Sequence, residues 1–161
     1  MFTYKIAEID NLERIWNKNI ERHPGDSRWE NWKRETISNH LNNRSTTFLV
    51  LAENEPIGEG SLLWSPNCNE IAGRKKLADG DKIANINALR IEKAYEGQGH
   101  ISQLIKTMEQ VAKDKGIERL TIGVEAKETR NLAIYLHLGF CNFVMSEIEE
   151  NELVLYYEKY L

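Results

Sequence analysis

Gly97 and Gly99 lie in the stretch YEGQGHISQL (Tyr95–Leu104), where strand-like alternation gives way to helix-like spacing. Glycine lets a backbone turn tightly and bring its N–H groups close to a ligand, and a helix start adds unpaired donors and a partial positive charge. Residues Gly97 to Ser102 are therefore suited to hold a phosphate or pyrophosphate, although a glycine pair at a strand end also serves as a plain turn. A dinucleotide fingerprint needs a third glycine where Ser102 and Gln103 stand, and a Walker loop needs Gly-Lys followed by Ser or Thr; the stretch has neither. Glu96 sets a negative charge directly ahead of the pair. The pattern puts His100 near the anion and His137 on a helix surface. Cys68 and Cys141 lack metal-ligand spacing and a neighbouring histidine, so they read as core or surface thiols, and no metal site is expected.

The elements that must position this loop follow from periodicity. Residues 2–7 read as a strand, and Leu12, Ile15, Trp16 and Ile20 as a helix face with Asp10 or Asn11 as its cap. Ser27 to Glu30 matches a capping box, followed by a second helix face of Trp29, Trp32, Thr36 or Ile37, and Leu41. TTFLVLAEN (46–54) and PIGEGSLLW (56–64) read as a hairpin turning at Asn54-Glu55-Pro56. The polar run 65–81 is long enough to suggest a functional loop. A strand over 83–91 leads into the glycines, and Ile101, Leu104, Ile105, Met108, Val111 and Ala112 form the stripe of the next helix, closed by Gly116. Leu120, Ile122 and Val124 alternate as a strand, 129–138 reads as a short helix stopped by Gly139, and 140–145 and 153–157 read as two last strands. The order β-α-α-β-β-β-α-β-α-β-β describes mixed α/β layers in one domain, 1–161.

Composition narrows the class. The chain is 41% hydrophobic and 29% charged with a formal net charge of −4, ordinary values for a globular protein. No basic block offers the footprint of a nucleic-acid binder, and no apolar run approaches a bilayer span or a signal peptide, so neither a nucleic acid nor a membrane is expected as partner. Two cysteines without a secretion signal fit a reduced, cytoplasmic protein.

YEGQGHISQLI resembles the acetyl-CoA signature of the GNAT superfamily of N-acetyltransferases, Arg/Gln-x-x-Gly-x-Gly/Ala. ETRNLAIYLHLGF (128–140) resembles its second motif, a short helix with a tyrosine five residues before the Phe of Leu-Gly-Phe. The element order matches as well, so the resemblance covers nearly the whole chain. Glu96 stands where the family carries a cation, Ile101 where it carries a second Gly or Ala, and Glu128 where it often carries Asn.

The resemblance implies a GNAT-like acyl-CoA N-acyltransferase fold and acetyl-CoA as co-substrate. It implies a cofactor site made of Glu96, Gly97, Gln98, Gly99, His100, Ile101 and Ser102, and of Leu89, Arg90 and Ile91, whose backbone would pair with the pantetheine arm as an added strand. Asn131, one helical turn before Tyr135, would take over a further cofactor contact. Tyr135 matches the family's general acid, donating its proton to the departing thiolate. Asn85 and Asn87 lie where relatives often carry acids, and Glu125 is the nearest carboxylate to the acceptor site; amides make poor bases, so the amine's proton is expected to leave through water. The acceptor is expected to be a primary amine, a small molecule rather than a protein N-terminus, entering between the first two helices and the 65–81 loop. Trp16, Trp29 and Trp32 there read as core before substrate wall. A homodimer fits the same reading. The rival reading is a catalytically silent acetyl-CoA-binding sensor or interaction module.

Overall fold

The computed structural model describes all residues from Met1 to Leu161. The chain forms two compact units, Met1–Leu62 with Ala88–Met108, and Leu63–Asn87 with Glu109–Leu161. The elements are β1 (Phe2–Ile6), α1 (Ile9–Arg22), α2 (Arg28–Leu41), β2 (Ser45–Ala52), β3 (Glu55–Leu63), β4 (Ile83–Ile91), α3 (His100–Asp114), β5 (Arg119–Glu125), α4 (Thr129–His137), β6 (Asn142–Glu149) and β7 (Glu152–Tyr160). That is the order expected from periodicity. The strand order is β1-β2-β3-β4-β5-β7-β6, and β4 belongs in part to each unit. No helix is long and apolar enough to cross a membrane.

In the first unit β1 runs antiparallel to β2, from Phe2 opposite Ala52 to Ile6 opposite Phe48. The β2–β3 turn falls one residue earlier than expected, at Glu53 and Asn54, with φ of 48° and 71°; successive left-handed residues match the twist of a tight hairpin. Leu12, Ile15 and Trp16 of α1 pack with Leu49 and Leu51 of β2, and Trp29, Trp32 and Ile37 of α2 lie against that cluster. Leu41, at the end of α2, is exposed.

Both helix starts differ from the sequence expectation. α1 begins at Ile9, so Asp10 falls inside the first turn and no side chain caps the helix. Ser27 precedes α2 in helical geometry (φ −66°, ψ −14°), which turns its hydroxyl away from a capping role. Asp26 acts instead, accepting the Arg28 N–H at 3.1 Å.

In the second unit β4 and β5 pair in parallel from Ile83 opposite Arg119 to Ile86 opposite Ile122. β5 and β6 each pair antiparallel with β7. The β6–β7 turn at Glu150 and Asn151 is again left-handed at both residues. β6 reaches Glu149, four residues past the expected end, because its last residues pair with β7, from Ser146 opposite Leu155 to Glu149 opposite Glu152. The polar run 65–81 carries core residues: Cys68, Ile71, Leu77 and Ala78 are buried with Leu63 and Tyr156. Its length is thus accounted for by packing. It ends where the Asp79 carboxylate accepts the N–H groups of Asp81, Lys82 and Ile83 at 2.8–2.9 Å and launches β4.

Candidate active site

The approach to the glycine loop is built by β4. Pairing with β5 covers only Ile83–Ile86, and Ala88 then takes φ +55°. A left-handed non-glycine residue within a strand is uncommon and disfavoured, and such residues gather at functional sites. Residues 83–86 are buried, whereas Asn87–Ile91 are half-buried. Leu89 and Ile91 face β3 at its glycines. A Cβ on Gly60 would come within 2.6 Å of Leu89 Cδ2, and one on Gly58 would overlap Ile91.

After a short 3-10 turn over Lys93–Tyr95, Gly97 and Gly99 adopt φ of +76° and +86°. Both values are ones that glycine reaches without steric cost. A Cβ at either position would meet nothing within 4 Å, so the loop is open on that side. The first helical hydrogen bond of α3 runs from the Gln103 N–H to the Gly99 carbonyl at 3.1 Å. Consequently the N–H groups of Gly99, His100, Ile101 and Ser102 have no acceptor in the protein. Glu96 is exposed, and Ile101 lies inside the helix, where its side chain strains nothing.

His100 differs in surroundings from what its sequence position suggests. Its imidazole is buried, with Nδ1 2.9 Å from the Tyr4 hydroxyl and Nε2 3.4 Å from Gln98 Oε1. The ring packs 4.4 Å from Phe2, which meets Tyr95 edge-on at 6.1 Å. β1 therefore grips the loop on both sides of its glycines, through Tyr95 before them and His100 after them. What His100 leaves toward an anion is its backbone N–H.

Arg90 also has a role that its place in the strand did not disclose. Its Nε bonds Glu59 Oε1 at 2.8 Å, its Nη2 bonds the same oxygen, and Asn19 Nδ2 reaches that oxygen at 3.2 Å. The guanidinium lies 4.8 Å from the Trp16 ring and 5.1 Å from that of Trp29. Burial pushes the Glu59 carboxyl above the usual carboxylate range, against the pull of Arg90 and Asn19. Trp16 is core, whereas Trp29 and Trp32 are half-buried against that cluster, and Trp16 and Trp29 also hold Arg90.

The remaining expected residues stand in the second unit. Asn85 is buried, donating to Thr121 Oγ1 at 2.9 Å, while Thr121 donates to the Leu77 carbonyl at 2.7 Å. Its amide is thereby engaged in holding β4 to β5. Asn87 is half-buried. Glu125 ends β5 with Lys127 Nζ at 3.6 Å, a lysine that also bonds Glu152 at 2.6 Å. Asn131 is exposed on α4, one turn before Tyr135. The helix closes with N–H bonds from Gly139 to the Leu136 carbonyl and from Phe140 to the Tyr135 carbonyl, both 3.0 Å. Burial pushes the Tyr135 phenol up to about 12, so the group holds its proton at neutral pH.

Comparison with known proteins bears on the family and the fold. Residues 6–140 match the acetyltransferase (GNAT) family. No curated protein matches the sequence. Among solved structures, the PaiA N-acetyltransferase of Thermoplasma acidophilum in complex with coenzyme A is 16% identical, covering 100% of this chain and 99% of that one with a TM-score of 0.67. The spermidine N-acetyltransferase SpeG of Vibrio cholerae is 17% identical over 98% and 94% of the two chains, with a TM-score of 0.70. RimL, a ribosomal-protein α-N-acetyltransferase solved with coenzyme A, is 15% identical over 99% and 94%, also with a TM-score of 0.70. Identities this low speak to the fold, whereas the family match spans most of the chain. The chain belongs to the GNAT family of acetyltransferases, whose co-substrate is acetyl-CoA.

Proposed function

We propose that this acetyltransferase acts on the primary amine of a small molecule, with Tyr135 as its general acid. When bound, acetyl-CoA supplies an activated acetyl group. The N–H groups of Gly99–Ser102 hold its pyrophosphate, helped by the α3 N-terminus and by the left-handed turns at Gly97 and Gly99. The backbone of Leu89–Ile91 pairs with the pantetheine arm on the side of β4 where the β5 pairing has ended at Ile86. Tyr135, protonated at neutral pH, gives its proton to the departing sulfur. Asn131 adds a cofactor contact from the preceding turn of α4. The amine's proton leaves to water, since Glu125 already has Lys127 as its counter-charge.

The observation that carries this reading is the run of backbone donors without acceptors, framed by two left-handed glycines at the β4–α3 junction. Every helix start leaves such donors, and here the space around Gly97 and Gly99, with nothing within 4 Å of a Cβ at either, leaves them open to an anion of several oxygens. A primary-amine library assayed for free-thiol release from acetyl-CoA, together with calorimetric titration of acetyl-CoA, tests it. Thiol release with small amines and not with peptides is the expected result. Binding without release from any acceptor would favour a silent acetyl-CoA-binding module, and absence of binding would overturn the cofactor site.

A further inference from the structure

Arg90 stands in the middle of the β4 segment assigned to pantetheine, but its side chain turns to the α1 and α2 side, where it meets Trp16 and Trp29. Its Nε and Nη2 are both committed to Glu59, and Nη1 has no partner in the protein. The ion pair is uneven: the Arg90 side chain is 33% exposed and that of Glu59 only 2%. The same inequality recurs at the next turn of chain. Glu92, 21% exposed, is approached by Lys18 at 3.7 Å and by Arg22 at 3.3 Å, whose side chains are 36% and 53% exposed. Glu55, 3.8 Å from Lys18, is the exception, being the more exposed partner there.

A neutral pair with its anion buried and its cation outward still presents a positive end to solvent. That end stands on a chain whose formal net charge is −4; a less exposed anion also occurs in Arg119–Glu158 and Lys159–Glu109, and what sets the Arg90 pair apart is the near-complete burial of Glu59. The guanidinium is planar and permanently charged, and here the carboxylate and two indoles fix its plane. A donor fixed in this way suits a carboxylate oxygen, whereas a second ammonium group brought beside it is repelled.

We propose that Arg90 sets acceptor specificity by receiving, at Nη1, a carboxylate carried by the amine substrate, so that the acceptors are amino acids and related amino carboxylates and not polyamines. The proposal rests on the acetyltransferase reading above. Glu59 and Asn19 act as positioning residues for the guanidinium, and Trp16 and Trp29 hold it from the ring side.

The test begins with the unaltered protein, acetyl-CoA and matched acceptors: α-amino acids, their primary amides and the corresponding decarboxylated amines. The kcat/KM for the acids is expected to exceed that for amides and amines by about tenfold or more, mainly through KM. Arg90→Gln alone would strip a buried carboxylate of its counter-charge, so it is combined with Glu59→Gln and the fold is checked by circular dichroism. The paired variant is expected to lose the preference for acids, its kcat/KM for acids falling about tenfold towards those for amides and amines. If the unaltered protein acetylates amides and amines as readily as acids, the proposal is overturned and the acetyltransferase reading stands. A weakened acetyl-CoA affinity with the acid preference intact would assign Arg90 to the donor's phosphates and overturn the proposal equally. No thiol release with any acceptor would overturn the acetyltransferase reading, and the proposal with it.

Discussion

Tyr135 is the residue on which the proposed chemistry depends, and two measurements bear on it. Tyr135→Phe removes only the hydroxyl. Acetyl-CoA affinity is expected to persist while the single-turnover rate falls by about 10²–10⁴-fold, the usual range for a lost general acid. An unchanged single-turnover rate would make it a packing residue. The second measurement is stability against pH. The folded phenol sits at about 12 and its ordinary value is 10.0, so the unfolded chain releases this proton first. The contribution is therefore complete below pH 10 and is lost as pH rises towards 12. Denaturant titrations at pH 9 and pH 11 should show a smaller loss in Tyr135→Phe than in the unaltered protein, and equal losses would show that the phenol is not buried as described.

The residue scale also shows what sequence can disclose of a site. Gly97 and Gly99 were legible because a left-handed backbone selects glycine, and the residue type itself carries the message. Ala88 adopts the same region without that signature, so the turn in β4 was invisible. The ion pair of Glu59 with Arg90 joins residues on neighbouring strands, and periodicity within one strand cannot report it. His100 was read as a polar residue near an anion, although its imidazole is enclosed by Phe2, Tyr4 and Tyr95.

At the scale of elements, the loop is shaped partly by a strand about ninety residues away in sequence. Tyr4→Phe deletes the 2.9 Å bond to His100 Nδ1 and leaves the ring in place. A hydrogen bond of this kind contributes about 1 kcal/mol, so acetyl-CoA affinity is expected to fall by about fivefold, with kcat at saturation unchanged. A fall in kcat without a change in Kd would mean that β1 does not act through the loop. Gly99→Val tests the loop from within. Its Cβ would enter open space, so the cost to the fold is limited to the backbone at φ +86°, about 1–2 kcal/mol. The variant is expected to fold and to lose acetyl-CoA binding, because the added side chain and the altered backbone both disturb the anion's approach. Retained affinity in calorimetry would reduce the glycines to a turn. The elements themselves were readable where apolar spacing is regular, as in α3. They were misjudged at ends set by local geometry, such as Ser27 already being helical and Asp26 capping in its stead.

For the molecule as a whole, a net charge of −4 must receive a polyanion, and the exposed Glu96 directly precedes Gly97 of the proposed cradle. Glu96→Gln is expected to tighten acetyl-CoA binding at low salt, with the gain shrinking as ionic strength rises and the Debye length falls to about 8–10 Å. Equal affinity for both proteins at every salt concentration would show that the carboxylate stays clear of the phosphates.

The position of β7 has a consequence for how the second unit comes to exist. It is the last strand in sequence, yet it lies between β5 and β6 and pairs with both. During synthesis β6 emerges first and has no partner until β7 follows it, so the β5 edge waits as well. Folding of this half is therefore coupled to arrival of the segment Glu152–Tyr160, and pairing β5 with β7 closes a long loop of chain, a feature that slows folding. A chain interrupted before that segment would not be trimmed at its rim: it would expose two unpaired strand edges at once, the surfaces by which nascent chains associate with one another.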